Sequence, residues 1–450
     1  MRRSFFAGCL AVAIAMPIGA AAIADPPVET TQPAVDIEAL VAQLNDPDPA
    51  KAAGAREKLV TLGEAARPAL ERFTKSRTAA ESVLATIEMN KVAAPTLITL
   101  NLNDASVEDV MAAFSKQTGY LLRPYNRAIW NGRANKQTVS VDYQNTPFWD
   151  ALIDFCQKAQ LSPYFNDSTS RQMLFMPSNQ MGQSMFNSPR SASGAMLTLM
   201  TQLSRQSSIS LGTQQSGGRS QFTGRMILLS EPKVRVTGFY YQAALDEAVD
   251  DNGNNLLPAG EHSFGGMNAT SRQSQVNVAI NLLYPANKPG LKIARLRGKL
   301  KMKVATTIES VEFQDVAGDK EQSGKTESGR RITICSAKPL NEGNDKGNLR
   351  QYLVKVIVYR DKLEARKFTE MTNNLGLRVM DAQGRDLQFQ MNREVTNKGN
   401  ETHISMMYYR RSADEGGGDD VGEPSKIVWD VILDSKEITV PFEFKDLPMP

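Results

Sequence analysis

TLITLNLNDASVEDVMAAFSKQTGYLL, residues 96–122, and TVSVDYQNTPFWDALIDFCQKAQ, residues 138–160, give strand and helix signals in a repeating order. In the first, Leu97, Thr99 and Asn101 alternate with Ile98, Leu100 and Leu102, the period of a half-buried strand. Asp104 to Ser106 then offer an N-cap. Val107, Val110, Met111 and Phe114 follow at helical spacing until Gly119 stops the helix. In the second segment Val139, Val141 and Tyr143 share one strand face. Phe148, Leu152, Phe155 and Ala159 share one helical stripe. A last strand, RQMLFMP at 171–177, closes a small α+β module over residues 95–178.

Upstream, DIEALVAQLNDPDPAKAAGAREKLVTLGEAARPALERF predicts two amphipathic helices and the start of a third. Ile37, Leu40, Val41 and Leu44 lie on the first, Ala55, Leu59 and Leu62 on the second. Pro68, Ala69, Leu70 and Phe73 open the third, and a further helix runs through ESVLATIEMNKV. The DPDP turn and the ending LVTLGEAARPALERF resemble a HEAT repeat, about one and a half copies of it, which implies a helical cap or stalk over 35–94. The module at 95–178 resembles the short N-terminal domains of secretins and TonB-dependent transducers. ITLNLNDASVEDVMAAFSKQTGYLL and VSVDYQNTPFWDALIDFCQKAQLSPYFNDSTSRQMLFM carry the resemblance. It implies a domain that packs against other envelope proteins. Neither a secretin pore domain nor a run of barrel strands follows, so pore and transport roles are not implied.

Downstream, residues 179–225 are rich in Ser, Gln, Gly and Met. GTQQSGGRSQFTG reads as loop, while AMLTLMTQLSRQSSISL and GRMILLSEPKVRVTGFYYQ read as the arms of a long hairpin. From there strands and turns dominate. VDDNGNNLL and MDAQGRDLQF each place Asp two or three residues before Gly, the chemistry of a tight turn, and QVNVAINLLYP and ETHISMMYYR follow as strands. KIARLRGKLKMKVATTIESVEFQD and KIVWDVILDSKEITVPFEFKD share an order of strand, charged turn and second strand. These correspondences predict an antiparallel β-sandwich region built as a duplicated unit, the first sandwich at 226–320 and the second at 330–450. The fold class is therefore multidomain α+β. LSEPKVRV, DDNGNNLLPAGE, LRGKL and ITVPFEFKDLPMP, within this architecture, resemble exported proteins of planctomycete-type bacteria, a resemblance that implies no activity.

The length of 450 residues suits several domains, and 41% hydrophobic with 22% charged residues is ordinary globular composition. A formal net charge of +3 argues against nucleic-acid binding by bulk phosphate neutralisation. Arg2 and Arg3, the apolar run from Phe5 to Ala22 and the A-I-A site at Ala22 to Ala24 predict a signal peptide over 1–24. Pro17 and Gly19 break the run, which favours cleavage over an uncleaved anchor. Too few residues precede Cys9 in FAGC for a lipoprotein signal. A Pro- and Thr-rich tether, 25–34, follows. The chain is thus expected to be exported, periplasmic or at the cell surface, with no transmembrane segment after cleavage.

Catalytic, cofactor and metal residues are expected to be none. The two histidines, His262 and His403, fall in different predicted sandwiches, which opposes a His-based triad or zinc site. Cys156 reads as a core residue, and Cys335 as a strand residue facing away from Ile332 and Ile334. Asp246, Glu247, Asp250, Asp251 and Asn252 resemble part of an acidic calcium loop but lack its full pattern, and Asp414, Glu415, Asp419 and Asp420 form a second acidic run. Both read as solvated turns. Lys299, Lys301 and Lys303 share one strand face, opposite Leu300, Met302 and Val304. Such a face is either solvated or binds an anionic polymer or headgroup. The runs at Phe239 to Tyr241 and Met407 to Tyr409 read as packing residues, since adjacent strand residues point to opposite faces. Trp130, Trp149 and Trp429 read likewise. No phosphate-binding, dinucleotide or nucleophile-elbow motif is present. The expected function is a non-enzymatic envelope scaffold that engages protein partners through residues 96–176. The alternative is polysaccharide binding by the sandwiches.

Overall fold

The computed structural model describes residues 36–73, 77–125, 137–164, 172–178, 185–208, 219–258, 264–269, 275–340, 349–361, 363–365, 368, 371–372, 375–411 and 421–450. The predicted signal peptide and tether, Trp130, His262 and the acidic run at 414–420 lie outside them. The chain divides into one unit ending at Leu84 and a second from Ala85 to Pro450. It is a mixed α+β chain whose sheets are mostly antiparallel. Among the described residues no helix is long and apolar enough to cross a membrane.

In the first unit, Asp36 caps α1 (Ile37–Gln43) by accepting from the Ala39 N–H, and Asp48 caps α2 (Pro49–Leu62) through the Ala50 N–H. Each cap satisfies a donor that the first helical turn leaves open. Helix α3 (Arg67–Arg72) and the start of α4 (Arg77–Ala93) follow. Leu40, Val41, Leu44, Ala55, Leu59, Ala69 and Leu70 are buried.

The second unit opens with the α+β module. Strand β1 (Leu97–Ser106) leads into α5 (Val107–Thr118), capped by Ser106 on the Asp109 N–H and ended by Gly119 at φ 72°. Next come β2 (Leu121–Pro124), β3 (Thr138–Pro147), α6 (Phe148–Lys158), β4 (Leu161–Tyr164) and β5 (Gln172–Pro177). β1 pairs antiparallel with β3, and β5 lies between β2, which is parallel to it, and β4, which is antiparallel. The two short strands β2 and β4 had no signal of their own in the sequence.

The β-rich body begins with β6 (Arg190–Ser193), β7 (Met196–Ser208), β8 (Arg219–Ser230), β9 (Val236–Tyr240), β10 (Ala244–Asp250), β11 (Met267–Ala269) and β12 (Gln275–Leu282). It continues with β13 (Lys292–Gln314), β14 (Gln322–Lys325), β15 (Arg331–Pro339), β16 (Leu349–Tyr359), β17 (Gly376–Met380), β18 (Gln388–Lys398), β19 (Glu401–Arg411) and β20 (Lys426–Pro448). β8 starts at Arg219, so RSQFTG, expected to be loop, is strand: its pairing with β7 supplies the backbone partners that an apolar period did not reveal.

Sheet β6–β7–β8–β12 is covered on both faces. Leu197, Leu199 and Leu229 join the core of the α+β module, whereas Met196, Met200, Phe222, Met226 and Leu228 face the sheet of β9, β10, β13 and β20. A second pair of layers sets sheet β14–β15–β16–β19–β18 against β17 and the facing parts of β13 and β20. β13 and β20 are antiparallel partners from Lys292↔Pro448 to Gln314↔Lys426. Each serves both cores: Leu296, Leu300, Met302, Val440 and Phe442 lie in the first, Phe313, Ile427 and Trp429 in the second. Residues 438–447, which the sequence assigned to the second sandwich, thus pack in the first core, and strands from residue 190 onward supply its other sheet. Neither long strand contains a Gly or Pro turn signal at the crossover that would have marked it.

Candidate functional site

The α+β module is fixed to the body at a polar junction. The Trp149 Nε1–H donates to the Ala195 carbonyl at 3.0 Å, and the Ala195 N–H donates to the Ala93 carbonyl at 2.7 Å. Gly194, at φ 60°, has no room for a side chain, because a Cβ would collide with the Ala93 oxygen. Glu231 is fully buried and accepts from the Thr96 N–H at 3.0 Å and the Thr96 hydroxyl at 2.6 Å, with Lys233 Nζ at 3.7 Å. Burial pushes its carboxyl above the ordinary range, and Thr96 and Lys233 only partly offset this. The Lys233 N–H donates to the Tyr120 hydroxyl at 3.2 Å.

This seating uses one side of the module. The outer face of β1 and β3 is exposed and largely polar, with Thr99, Asn101, Ser140, Asp142 and Gln144 beside the exposed Leu97. Its side chains bond across the strands, Thr99 Oγ1 to Asn145 Oδ1 at 3.3 Å and Asn101 Nδ2 to Asp142 Oδ1 at 3.4 Å. The inner face buries Val139, Val141 and Tyr143, as the alternation predicts.

The cationic face of β13 is a cross-strand charge ladder. Lys299 meets Asp246 at 3.3 Å, Lys301 meets Glu437 at 2.8 Å, and Arg297 meets Glu247 at 3.6 Å, while Leu300, Met302 and Val304 are buried behind them. Cations held beside carboxylates attract an anionic polymer less than free ones. The acids expected near a calcium loop also disperse. Asp246 and Glu247 join this ladder, whereas Asp250 is enclosed by donors. Its Oδ1 accepts from the N–H groups of Asn252 (3.0 Å) and Asn254 (2.8 Å), its Oδ2 from Asn254 Nδ2 (2.7 Å) and the Gly290 N–H (2.8 Å).

Asp381 repeats that arrangement. Its Oδ1 accepts from the N–H groups of Gln383 and Arg385, both at 2.9 Å, and its Oδ2 from Arg385 Nε (2.7 Å) and the Gly422 N–H (2.8 Å). Burial works to raise both carboxyls, yet the combined hydrogen bonds hold each below its ordinary value.

A buried ion pair missed by sequence reasoning sits where the two long strands cross between cores. Asp430 on β20 meets Arg235 Nη1 at 2.8 Å and Arg378 Nε at 3.5 Å, and the Ser310 hydroxyl donates to it at 2.6 Å. Gly376 lies opposite Asp430 because a Cβ there would collide with the Arg235 guanidinium. No spacing rule links residues 195 apart in the chain.

The remaining candidates separate. Cys156 is buried, with its thiol pushed up by burial, and Cys335 is half-buried on β15. His403 Nε2 lies 3.2 Å from Glu401 Oε2. Trp149 and Trp429 are buried in different cores. Among the described residues no group of three or more His, Cys, Asp or Glu side chains could hold a metal ion. Of the aromatic runs, Phe239 and Tyr408 are buried, but Tyr241 is 44% exposed, contrary to its reading as a packing residue. It follows the last residue of β9, beyond the part of that strand that packs in the core through Val236 and Phe239. No family model, curated protein or solved structure matches this chain.

Proposed function

We propose that this chain is a non-enzymatic, exported cell-envelope scaffold that engages protein partners through residues 96–176. The supporting observation is the seating of the α+β module: it is held by Glu231 and Ala195 and leaves the polar β1–β3 face outward. A rigidly presented face suits docking, because little ordering remains for the partner to impose. The strand–helix–strand order of the module supports its kinship with the short N-terminal domains of secretins and TonB-dependent transducers. The capped α1 and α2 pair supports the HEAT-like reading of the helical segment. We infer also that the two β-rich halves arose by duplication, a reading supported by the matching donor sets around Asp250 and Asp381.

Deleting the module would expose Leu197, Leu199 and Leu229, so point probes are the better test. A photo-crosslinking residue at Asn101 or Asp142 is expected to capture a discrete envelope protein in the native cell, and one at Lys398 is not. Equal capture from all three positions would sink the module as the docking face. The second reading, polysaccharide binding by the β-rich region, is supported by the exposed Tyr241 and its surroundings rather than by the paired cations.

A further inference from the structure

We propose that the outward face of strands β16, β19 and β18 is a contact between two copies of this chain, related by a two-fold axis that runs along β19. Such pairing is independent of what the α+β module engages. The inward face of these strands packs in the second core through Tyr352, Val354, Val356, Ile404, Met406 and Tyr408. The alternate residues Leu353, Lys355, Ile357, Ser405, Met407 and Tyr409 therefore point the other way, and none of them is buried. Leu353, Ile357, Met391 and Met407 belong to none of the three cores of the second unit.

The strand register sets this face out in rows. Leu353 lies opposite Met407, and Met407 lies opposite Met391, which is 50% exposed. Cross-strand neighbours share a face, so the three make an apolar stripe across the strands. In the next row Lys355 lies opposite Ser405, and Ser405 opposite Glu394. Lys355 and Glu394 are both exposed, stand two strands or about 10 Å apart, and among the described residues neither has an ion pair. On β13, by contrast, Lys299 and Lys301 stand beside carboxylates of their own chain.

A half-turn about β19 exchanges the β16 and β18 sides of the face and keeps every row at its own height. Met407 then meets its own copy, Leu353 meets the second copy's Met391, and Lys355 meets the second copy's Glu394. The apolar stripe covers itself, and each unpaired charge finds its opposite twice per dimer. A surface that carries both members of each match at mirrored places fits its own copy better than a partner of one sign. Glu401 meets its own copy at the rim, a like-charge cost moderated by Lys398 across the strand pair and by His403 Nε2 at 3.2 Å. Three strands of 11 residues span roughly 15 by 36 Å, about 500 Å² per copy. A stable complex buries about 800 Å² per partner, so the pairing belongs at micromolar concentrations.

The test is sedimentation velocity of the whole mature chain from about 1 to 200 µM, a range that brackets a micromolar Kd. The wild type is expected to pass from monomer to dimer across it. Lys355→Glu and Glu394→Lys should each weaken the dimer about tenfold or more, because each sets like charges against one another at two places. An equimolar mixture of these two variants should regain the dimer, since both meetings across that mixed pair join opposite charges. Met407→Asp should abolish dimerisation, and Lys299→Gln, on the other sheet, should sediment as wild type. Circular dichroism of each variant separates loss of the contact from loss of fold. Lys398 lies at the rim of this face, so a photo-crosslinking residue there is expected to capture a second copy of the chain, which its doubled mass distinguishes from an envelope partner. A wild type that stays monomeric throughout overturns the proposal. A dimer that both single variants keep lies on another surface, and one that both lose without recovery in the mixture overturns the two-fold along β19.

Discussion

Asp250 and Asp381 occupy cages of the same design in the two β-rich halves, but their closing groups differ. Each carboxylate takes N–H groups two and four residues ahead and the N–H of a distant glycine, Gly290 or Gly422. The fourth donor is the neutral amide of Asn254 in one half and the charged Arg385 in the other. The backbone needs of a tight turn therefore constrain the aspartate, and the side chain four residues on is free to vary. The halves diverge more where they meet other parts of the chain. Sheet β6–β7–β8–β12 is buried on both faces, because the α+β module covers the second one.

The largest effect is expected where the halves are tied. Asp430→Ala would leave Arg235 and Arg378 beside a buried void, a loss of about 3–5 kcal/mol for breaking one partner of a buried pair. Urea denaturation should show one transition shifted to lower midpoint, since β13 and β20 serve both cores. A two-step curve in which one step alone moves would break the idea that the long ribbon couples the halves.

The cages come next. Asp250→Ala and Asp381→Ala each strand several donors, of which the Gly290 N–H is buried and the others half-buried, at a cost of about 1–3 kcal/mol at most for the first donor left unsatisfied. Asp381→Ala should be the more damaging of the two, because it also strips Arg385 of its ion pair. Equal midpoints would mean that the guanidinium adds nothing beyond the amide, which would sharpen the equivalence of the two turns.

Much of this design was legible. The alternation of Val139, Val141 and Tyr143, the Ser106 cap, the Gly119 stop and the two Asp-Gly turns are local features, fixed by residues a few positions apart. The lysine face of β13 was legible for the same reason. The carboxylates that neutralise it come from β10 and β20, so the ladder itself was not. Likewise MLTLM and MILLS are apolar at both parities, a signal of a strand buried on both faces, yet nothing local says which elements do the covering. The Arg235–Asp430 pair and the place of the Tyr241 ring against Gly265 and Gly266 depend on pairings across long separations. The double glycine in FGGM, residues 264–267, was the one local sign of a close approach there.

The response to pH separates the turns from the module junction by sign. Asp250 and Asp381 are held below the ordinary 3.8, so their contribution is complete above that value and lost as pH falls through the lower folded value. Glu231 is pushed above the ordinary 4.5, so its contribution is complete below that value and lost as pH rises through the higher folded one. Thermal melts of Glu231→Gln and wild type should therefore differ by an amount that moves in the variant's favour between pH 4 and pH 7. A difference that stays constant would mean that Lys233 and Thr96 fully offset the burial of Glu231.

The smallest effect belongs to the charge ladder. Lys299 and Asp246 are both well exposed, so Lys299→Gln removes an attraction that water and salt already weaken, worth roughly 0–1 kcal/mol. The change should shrink further between 50 mM and 500 mM salt, as expected for an exposed pair. Asp430→Ala measured across the same salt range provides the contrast, because its partners are buried and salt reaches them poorly. If both variants lost the same fraction of their effect in high salt, the charges that tie the halves would be as well hydrated as those on the ladder.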